Sequence, residues 1–270
     1  MARVNGIFNI TATLQNVSFY TIKGSDKVYM RTKGGPTKRR VKKGPEFEKL
    51  RKHQVEWKGC IRFSQMLCSR LHSIYKMRDF NVAPQINGMA KGLMKLDKQH
   101  EIGARTILLS QSKETLEGLN FNRRFPFNQV FRTAFSMDID KERGSMKVDM
   151  SRIVTKNDLY NVQKLPYFRL VFNVMCCTDV EINDKESTPY SLTMDNDFWH
   201  NGELITGWLL CNTVVAEQTF EVTINPNMPA ELMYKATFIG SIGIEFGTSG
   251  NNGEIEPVEH ACCSKIVKTV

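Results

Sequence analysis

Hydrophobic and polar residues alternate near the start of the chain. Phe8, Ile10, Ala12 and Leu14 interleave with Asn9, Thr11, Thr13 and Gln15, the period of two expected of a strand with one apolar face. The phase inverts at Asn16, so that Val17 and Phe19 take the apolar positions, and a turn or bulge at Gln15-Asn16 explains the inversion. Lys23-Gly24-Ser25-Asp26 marks another turn before Val28-Tyr29-Met30-Arg31, and residues 7–32 read as a short β-meander.

Residues 32–44 (TKGGPTKRRVKKG) form a polar connector marked by glycine and proline, with nothing to pack. From Pro45 the period becomes helical. Proline suits a first helical turn, Glu46 and Glu48 suit the positive helix end, and Phe47, Leu50, Trp57, Ile61, Leu67, Leu71 and Ile74 follow mostly at steps of three, four or seven. One long helix is expected over residues 45–77. After a break near Asn81 and Pro84, a second is marked by Ile86, Met89, Leu93 and Leu96.

Beyond Phe125 alternation returns. Strands are expected at 130–139, 146–154, 167–177, 204–215, 218–225, 235–246 and 261–267, separated by turns such as Lys141-Glu142-Arg143-Gly144. The expectation is an α+β protein: a β-meander and basic arm at 1–44, a helical segment at 45–125, and at 126–270 an antiparallel β-sandwich of immunoglobulin-like or jelly-roll kind.

Composition excludes several classes. With 270 residues, 41% hydrophobic and 24% charged, the chain is neither disordered nor a disulfide-stapled miniprotein. No apolar run approaches the ~20 residues of a membrane-spanning helix. The amino terminus lacks the pattern of a secretory signal, so a cytoplasmic protein is expected, with release by lysis or phage-like escape as a route outside. The seven cysteines, Cys60, Cys68, Cys176, Cys177, Cys211, Cys262 and Cys263, are odd in number and include two adjacent pairs, which fits reduced thiols.

Charge is unevenly placed. Residues 1–125 hold 25 Lys+Arg against 9 Asp+Glu, and residues 126–270 hold 12 against 19. Between Lys23 and Lys43 nine cations face only Asp26.

No phosphate loop, nucleophile elbow or zinc-protease helix motif is present. Cys60, Cys68 and His72, and likewise His260, Cys262 and Cys263, are incomplete as zinc ligand sets and fit packing better. Asp138 with Asp140, and Asp195 with Asp197, could each place two carboxylates on a strand face, but the only base nearby is His200. Trp199 and Trp208 are expected in or beside the sandwich. No catalytic residue, cofactor or metal ligand is assigned, and a non-enzymatic protein is expected.

The opening GIFNITATLQNVSFYTIKGSDKVYMRTKGGPTKRRVKKGPEFEKLRKH and the later FIGSIGIEFG together resemble a group of uncharacterised bacterial proteins. These begin with a strand-turn-strand of the type GxLxxVSFYxxxGxxYxR, continue into a basic linker and helices, and end in a β-rich domain. The resemblance implies a bacterial source and this two-part organisation, and brings no activity.

Two functions are expected. The first is a structural protein that self-assembles into a filament, tube or phage-like shell. Its contacts would be head-to-tail charge complementarity and donation of a strand carrying Phe8, Ile10, Ala12, Leu14, Val17 and Phe19. The alternative is nucleic-acid association through a basic arm of Lys33, Lys38, Arg39, Arg40, Lys42 and Lys43. No aromatic residue lies between Arg31 and Pro45 to stack on bases, so the arm by itself would read phosphates only.

Overall fold

The computed structural model describes residues 2–4, 13–14, 16–23, 25, 27–32, 34–182, 190–192, 201–224, 236–250 and 252–270. Phe8, Ile10, Ala12, Lys33, Asp195, Asp197, Trp199 and His200 lie outside the described residues. The chain divides into two compact units, residues 1–51 and 52–270.

The first unit holds an antiparallel sheet of β1 (Ala2–Val4), β2 (Thr13–Leu14), β3 (Val17–Thr21) and β4 (Val28–Thr32) in the order β1-β4-β3-β2. Leu14 pairs with Val17, and β3 pairs with β4 along its whole length, Phe19 standing opposite Met30. Tyr20 and Tyr29, also opposite, stack with ring centroids 5.9 Å apart, and the Arg31 guanidinium lies 5.5 Å from the Tyr20 centroid.

The basic connector departs from the sequence reading, because it contains a helix, α1 (Lys38–Lys43). Three local contacts account for it. The Thr37 hydroxyl accepts the Arg40 N–H at its start, Gly44 donates its N–H to Arg40 O at its end, and the Arg51 guanidinium donates to Val41 O and Gly44 O at 2.8 Å each. These satisfy backbone groups that a short isolated helix leaves bare.

A 3-10 turn at Pro45–Phe47 leads into α2 (Glu48–Arg70), inside which the division between the units falls. The expected single helix to residue 77 breaks after Arg70 and resumes as α3 (His72–Tyr75), because Arg70 is pulled to the sheet. Its guanidinium donates to Cys176 O at 2.7 Å, and its carbonyl accepts from Asn201. The second expected helix is α4 (Ala83–Met94).

The remaining elements are α5 (Phe127–Val130), β5 (Phe135–Asp140), β6 (Ser145–Met150), β7 (Ile153–Val154), α6 (Thr155–Asp158), β8 (Tyr167–Cys177), β9 (Val180–Ile182), β10 (Tyr190–Leu192), β11 (Asn201–Ile205), β12 (Leu209–Leu210), β13 (Val214–Val215), β14 (Gln218–Thr223), β15 (Thr237–Ser249) and β16 (Ile255–Thr269). One sheet has the order β11-β8-β15-β16, with β12 also on β8; the facing sheet has the order β14-β6-β5, and every pairing is antiparallel. Counting β5, β6, β8, β11, β14, β15 and β16 as first to seventh, one sheet joins the first, second and fifth strands and the other the fourth, third, sixth and seventh. That is an immunoglobulin-like sandwich whose fourth strand sits in the second sheet, and it excludes the jelly-roll alternative.

The central strands of the larger sheet, β8 and β15, are buried on both faces. Phe168, Leu170, Phe172 and Val174 of β8 pack into the sandwich core with Met146, Val148 and Ile242, while Val171, Met175 and Cys177 face a helical core of Phe63, Leu67, Ile74, Ile86 and Leu93. This explains why β8 carries apolar residues on both faces, broken only by Arg169 and Asn173, whereas β5 and β6 alternate. It also explains the division of the chain. The sequence sets helices apart from strands at residue 125, yet the apolar faces of α2, α3 and α4 are buried on the sheet that follows, so helices and sandwich form one unit.

The FIGSIGIEFG string is β15. A Cβ on Gly240 would stand 2.6 Å from Met137 Sδ in the facing sheet, and one on Gly243 would stand 2.5 Å from Met77 Sδ on the helical side. The glycines admit close packing on the two faces of one strand.

Candidate nucleic-acid interface

The basic arm lies on α1 and is open to solvent. Arg40 is engaged by Glu46 at 2.8 Å, which holds the Glu46 carboxyl below its usual range. Lys38, Arg39, Lys42 and Lys43 are exposed and make no ion pair with a described residue. The division of the chain sharpens the charge asymmetry. Residues 1–51 contain 12 Lys+Arg against 3 Asp+Glu, and residues 52–270 contain 25 against 25, so the whole net charge of +9 belongs to the first unit.

In the second unit, the most buried charged cluster is closed. Glu56 of α2 is fully buried and accepts two bonds from Arg105, at 2.7 Å from Nε and 2.8 Å from Nη2, one from Gly103 N–H at 2.9 Å, and one from Lys91 of α4. Burial pushes its pKa up, but the bonds from Arg105, Lys91 and Gly103 outweigh this and hold it down at about 2. Asp97 is similar: against its burial, N–H groups of Thr106, Gln99 and His100 and the His100 ring bring it to about 2. Every carboxylate oxygen has a donor, which marks a tie between α2, α4 and the 97–106 loop.

The other sequence candidates do not converge. Burial raises all seven thiols, Cys177 to about 12 and Cys60, Cys68, Cys176, Cys211 and Cys262 to about 11. Among the described residues no three His, Cys, Asp or Glu side chains are placed to hold a metal ion. Asp138 and Asp140 lie on the exposed face of β5, Asp138 paired with Lys268 at 2.8 Å. Trp208 packs beside the sandwich under the Arg169 guanidinium, 4.5 Å from its ring centroid. No described helix is long and apolar enough to cross a membrane.

Residues that the sequence did not single out form a ladder of cations and rings. Arg123 lies 4.0 Å from the Phe80 ring centroid, Arg124 lies 5.4 Å from that of Phe125, Phe125 is 6.2 Å from Tyr160, and Arg132 lies 5.8 Å from Tyr160. Arg78 lies 4.0 Å from Tyr75, one residue before Asp79. Phe80, Arg123, Arg124 and Phe125 of the ladder line a groove of about 550 Å³ together with Asp79, Gln163 and His260, and Tyr160 lines an adjoining hollow that shares Phe125, Gln163 and His260.

The ladder is held from beneath. Asp79 accepts the backbone N–H groups of Arg123 and Arg124 at 2.9 Å each. Buried Asn122 donates to Met77 O and Cys262 O and accepts from Ser264 N–H, clamping the segment to β16. A local signal was present in Arg123-Arg124-Phe125 and in Tyr75 to Phe80, but Tyr160, Arg132 and His260 come from distant segments that no spacing joins.

The chain matches no protein-family model, no curated protein and no solved structure.

Proposed function

We propose that this chain is a non-enzymatic nucleic-acid-associated protein whose basic first unit binds the phosphate backbone. The observation that carries this reading is the concentration of the entire +9 net charge in residues 1–51, with Lys38, Arg39, Lys42 and Lys43 exposed on a capped helix, while residues 52–270 are balanced. Cations without acidic partners near them release counterions when they meet phosphates, and affinity then falls with salt in proportion to the contacts made.

The test is fluorescence anisotropy of a labelled duplex with the full chain between about 50 and 200 mM salt. Replacing Lys38, Arg39, Lys42 and Lys43 with Gln is expected to reduce the slope of log K against log salt by about 3–4, close to one for each lost phosphate contact. Absence of binding at low salt, or an unchanged slope in the variant, overturns the proposal.

Self-assembly is a second reading, favoured by the outer face of the β14-β6-β5 sheet. Its exposed acids Asp138, Asp140, Asp149 and Glu221 outnumber by one the cations paired with them, Lys268, Arg143 and Lys147, so this face is slightly acidic against the basic first unit. Strand donation is less favoured, since β3, which carries Val17 and Phe19, is already paired with β4 in its own chain. Sedimentation velocity at low and high salt tests the charge contact. Monomers at every concentration and salt would exclude it.

A further inference from the structure

From the arginine and aromatic ladder of the second unit we infer that its groove is a separate binding site for an unpaired nucleic-acid strand. The inference rests on the nucleic-acid reading for the class of ligand but not on the basic arm for the site.

Three features point to this occupant. First, Arg78, Arg123, Arg124 and Arg132 are exposed and make no ion pair with a described residue, although the unit as a whole is charge-balanced. Asp79 stands in the groove wall, but its carboxylate is taken up by the backbone N–H groups of Arg123 and Arg124; Asp158, whose carbonyl accepts the Arg132 N–H, turns its carboxylate to Val154 N–H, and Glu259, beside His260 at 3.6 Å, is exposed.

Second, each guanidinium lies near a ring, Arg78 and Arg123 at 4.0 Å from the centroid and Arg124 and Arg132 at 5.4 and 5.8 Å. Arg78 donates to Tyr75 O and Arg132 to Gln129 O, whereas the Arg123 and Arg124 guanidiniums make no hydrogen bond to a described residue and keep their N–H donors for a phosphate, which a guanidinium can meet in a bidentate way. Third, the rings keep open surface: Tyr160 is 45% exposed, and Phe80 and Phe125, although they pack against the helical and sandwich cores, are only half-buried, so apolar faces stand beside cations. A strand with bases splayed from its backbone offers rings and anions together, whereas a duplex hides its base faces and a peptide of acidic residues alone has no rings to stack.

The clamp from Asp79 and Asn122 bears on affinity as well. It fixes the Arg123-Arg124 segment before any ligand arrives, so less side-chain and loop freedom remains to be lost on binding. The groove volume of about 550 Å³ falls within the usual range of ligand clefts.

The experiment uses the full chain with Lys38, Arg39, Lys42 and Lys43 changed to Gln, so that loss of the arm and loss of the groove are read separately. Anisotropy is measured with labelled dT12, rU12 and a dT12·dA12 duplex, with poly-glutamate as competitor. The expected result is retained binding of dT12 or rU12 over duplex, and a preference for either strand identifies the natural one and upholds the assignment. Adding Tyr160→Ala is expected to weaken single-strand binding about 5- to 150-fold, the range for loss of one stacked base. Arg124→Gln should weaken it while Arg124→Lys weakens it less, with the melting temperature unchanged in all three. Equal affinity for duplex, insensitivity to Tyr160→Ala and Arg124→Gln, or displacement by poly-glutamate as readily as by dT12 overturns the inference. An unchanged single-strand preference after removal of the arm leaves the groove standing even where the arm fails its own test.

Discussion

Neutralising Glu56 tests the energetics of the second unit most directly. The Glu56→Gln side chain has the same shape but no charge, and leaves Arg105 and Lys91 around an amide instead of a carboxylate. Two routes give the size of the effect. Depression of the pKa from 4.5 to about 2 corresponds to about 3 kcal/mol at neutral pH. Removing one partner of a buried ion pair costs about 3–5 kcal/mol. Lys91 keeps 22% of its side-chain surface in water, and screening there favours the lower end, about 2–3 kcal/mol.

The assay is urea unfolding at pH 7, with Glu101→Gln as control. Glu101 is 91% exposed and meets Lys52 only at 3.9 Å, so its loss should cost less than about 0.5 kcal/mol. The sign with pH is fixed by the direction of the shift. A carboxylate depressed in the folded state contributes fully above its unfolded pKa, and the contribution fades as pH falls from about 4.5 to about 2. The difference between wild type and Glu56→Gln should therefore shrink through that window. A difference below about 1 kcal/mol at pH 7, or one that does not change with pH, would refute the reasoning.

Three further outcomes are expected. Gly240→Val should destabilise by about 1–3 kcal/mol by forcing Met137 and Met146 aside between the sheets, read as a lower urea midpoint with unchanged slope. The side chains of Asn173 and Ser241 stand opposite each other, buried and without a hydrogen-bond partner among the described residues, so Asn173→Leu should leave stability unchanged or raise it by about 1 kcal/mol in thermal unfolding; a loss of more than that would mean the amide is satisfied by trapped water. Thiols raised to about 11 or 12 should react with a disulfide reagent at pH 7.5 only slowly in the native protein and rapidly in urea, and a fast-reacting native thiol would contradict the burial that raises them.

Legibility in the sequence followed the number of partners each element has. The strand over 167–177 was read to the residue, because burial on two faces leaves it apolar on both, broken only by Arg169 and Asn173. The single strand expected at 204–215 is instead β11, β12 and β13, since the chain turns at Thr206-Gly207 and at Cys211 to Thr213, polar and glycine positions short enough to pass for the polar half of an alternating strand. The last strand runs over Ile255–Thr269, longer than the expected 261–267, because its first half is exposed and polar and carries no alternating signal. In the helical region, a break depended on Arg70 reaching Cys176 O across the fold, and α1 depended on Arg51 returning to carbonyls at Val41 and Gly44. Such contacts between side chain and backbone have no periodicity to read.

Charge shows the same limit from another side. Cutting the sequence at Phe125 suggested a basic half facing an acidic half, whereas the folded chain divides into a first unit that holds all the surplus and a second that holds none. Yet balance in the second unit is an average over two populations. Lys91, Arg105, Arg169 and Lys268 are spent on Glu56, Glu245 and Asp138, while Arg78, Arg123, Arg124 and Arg132 rest on rings with no carboxylate of their own. An anion meeting this unit responds to local pairing at distances shorter than the screening length, about 8–10 Å, and not to a sum over 219 residues. A charge count of zero therefore coexists with a cationic groove, and the aromatic residues that the basic arm lacks are found where the guanidiniums are left over.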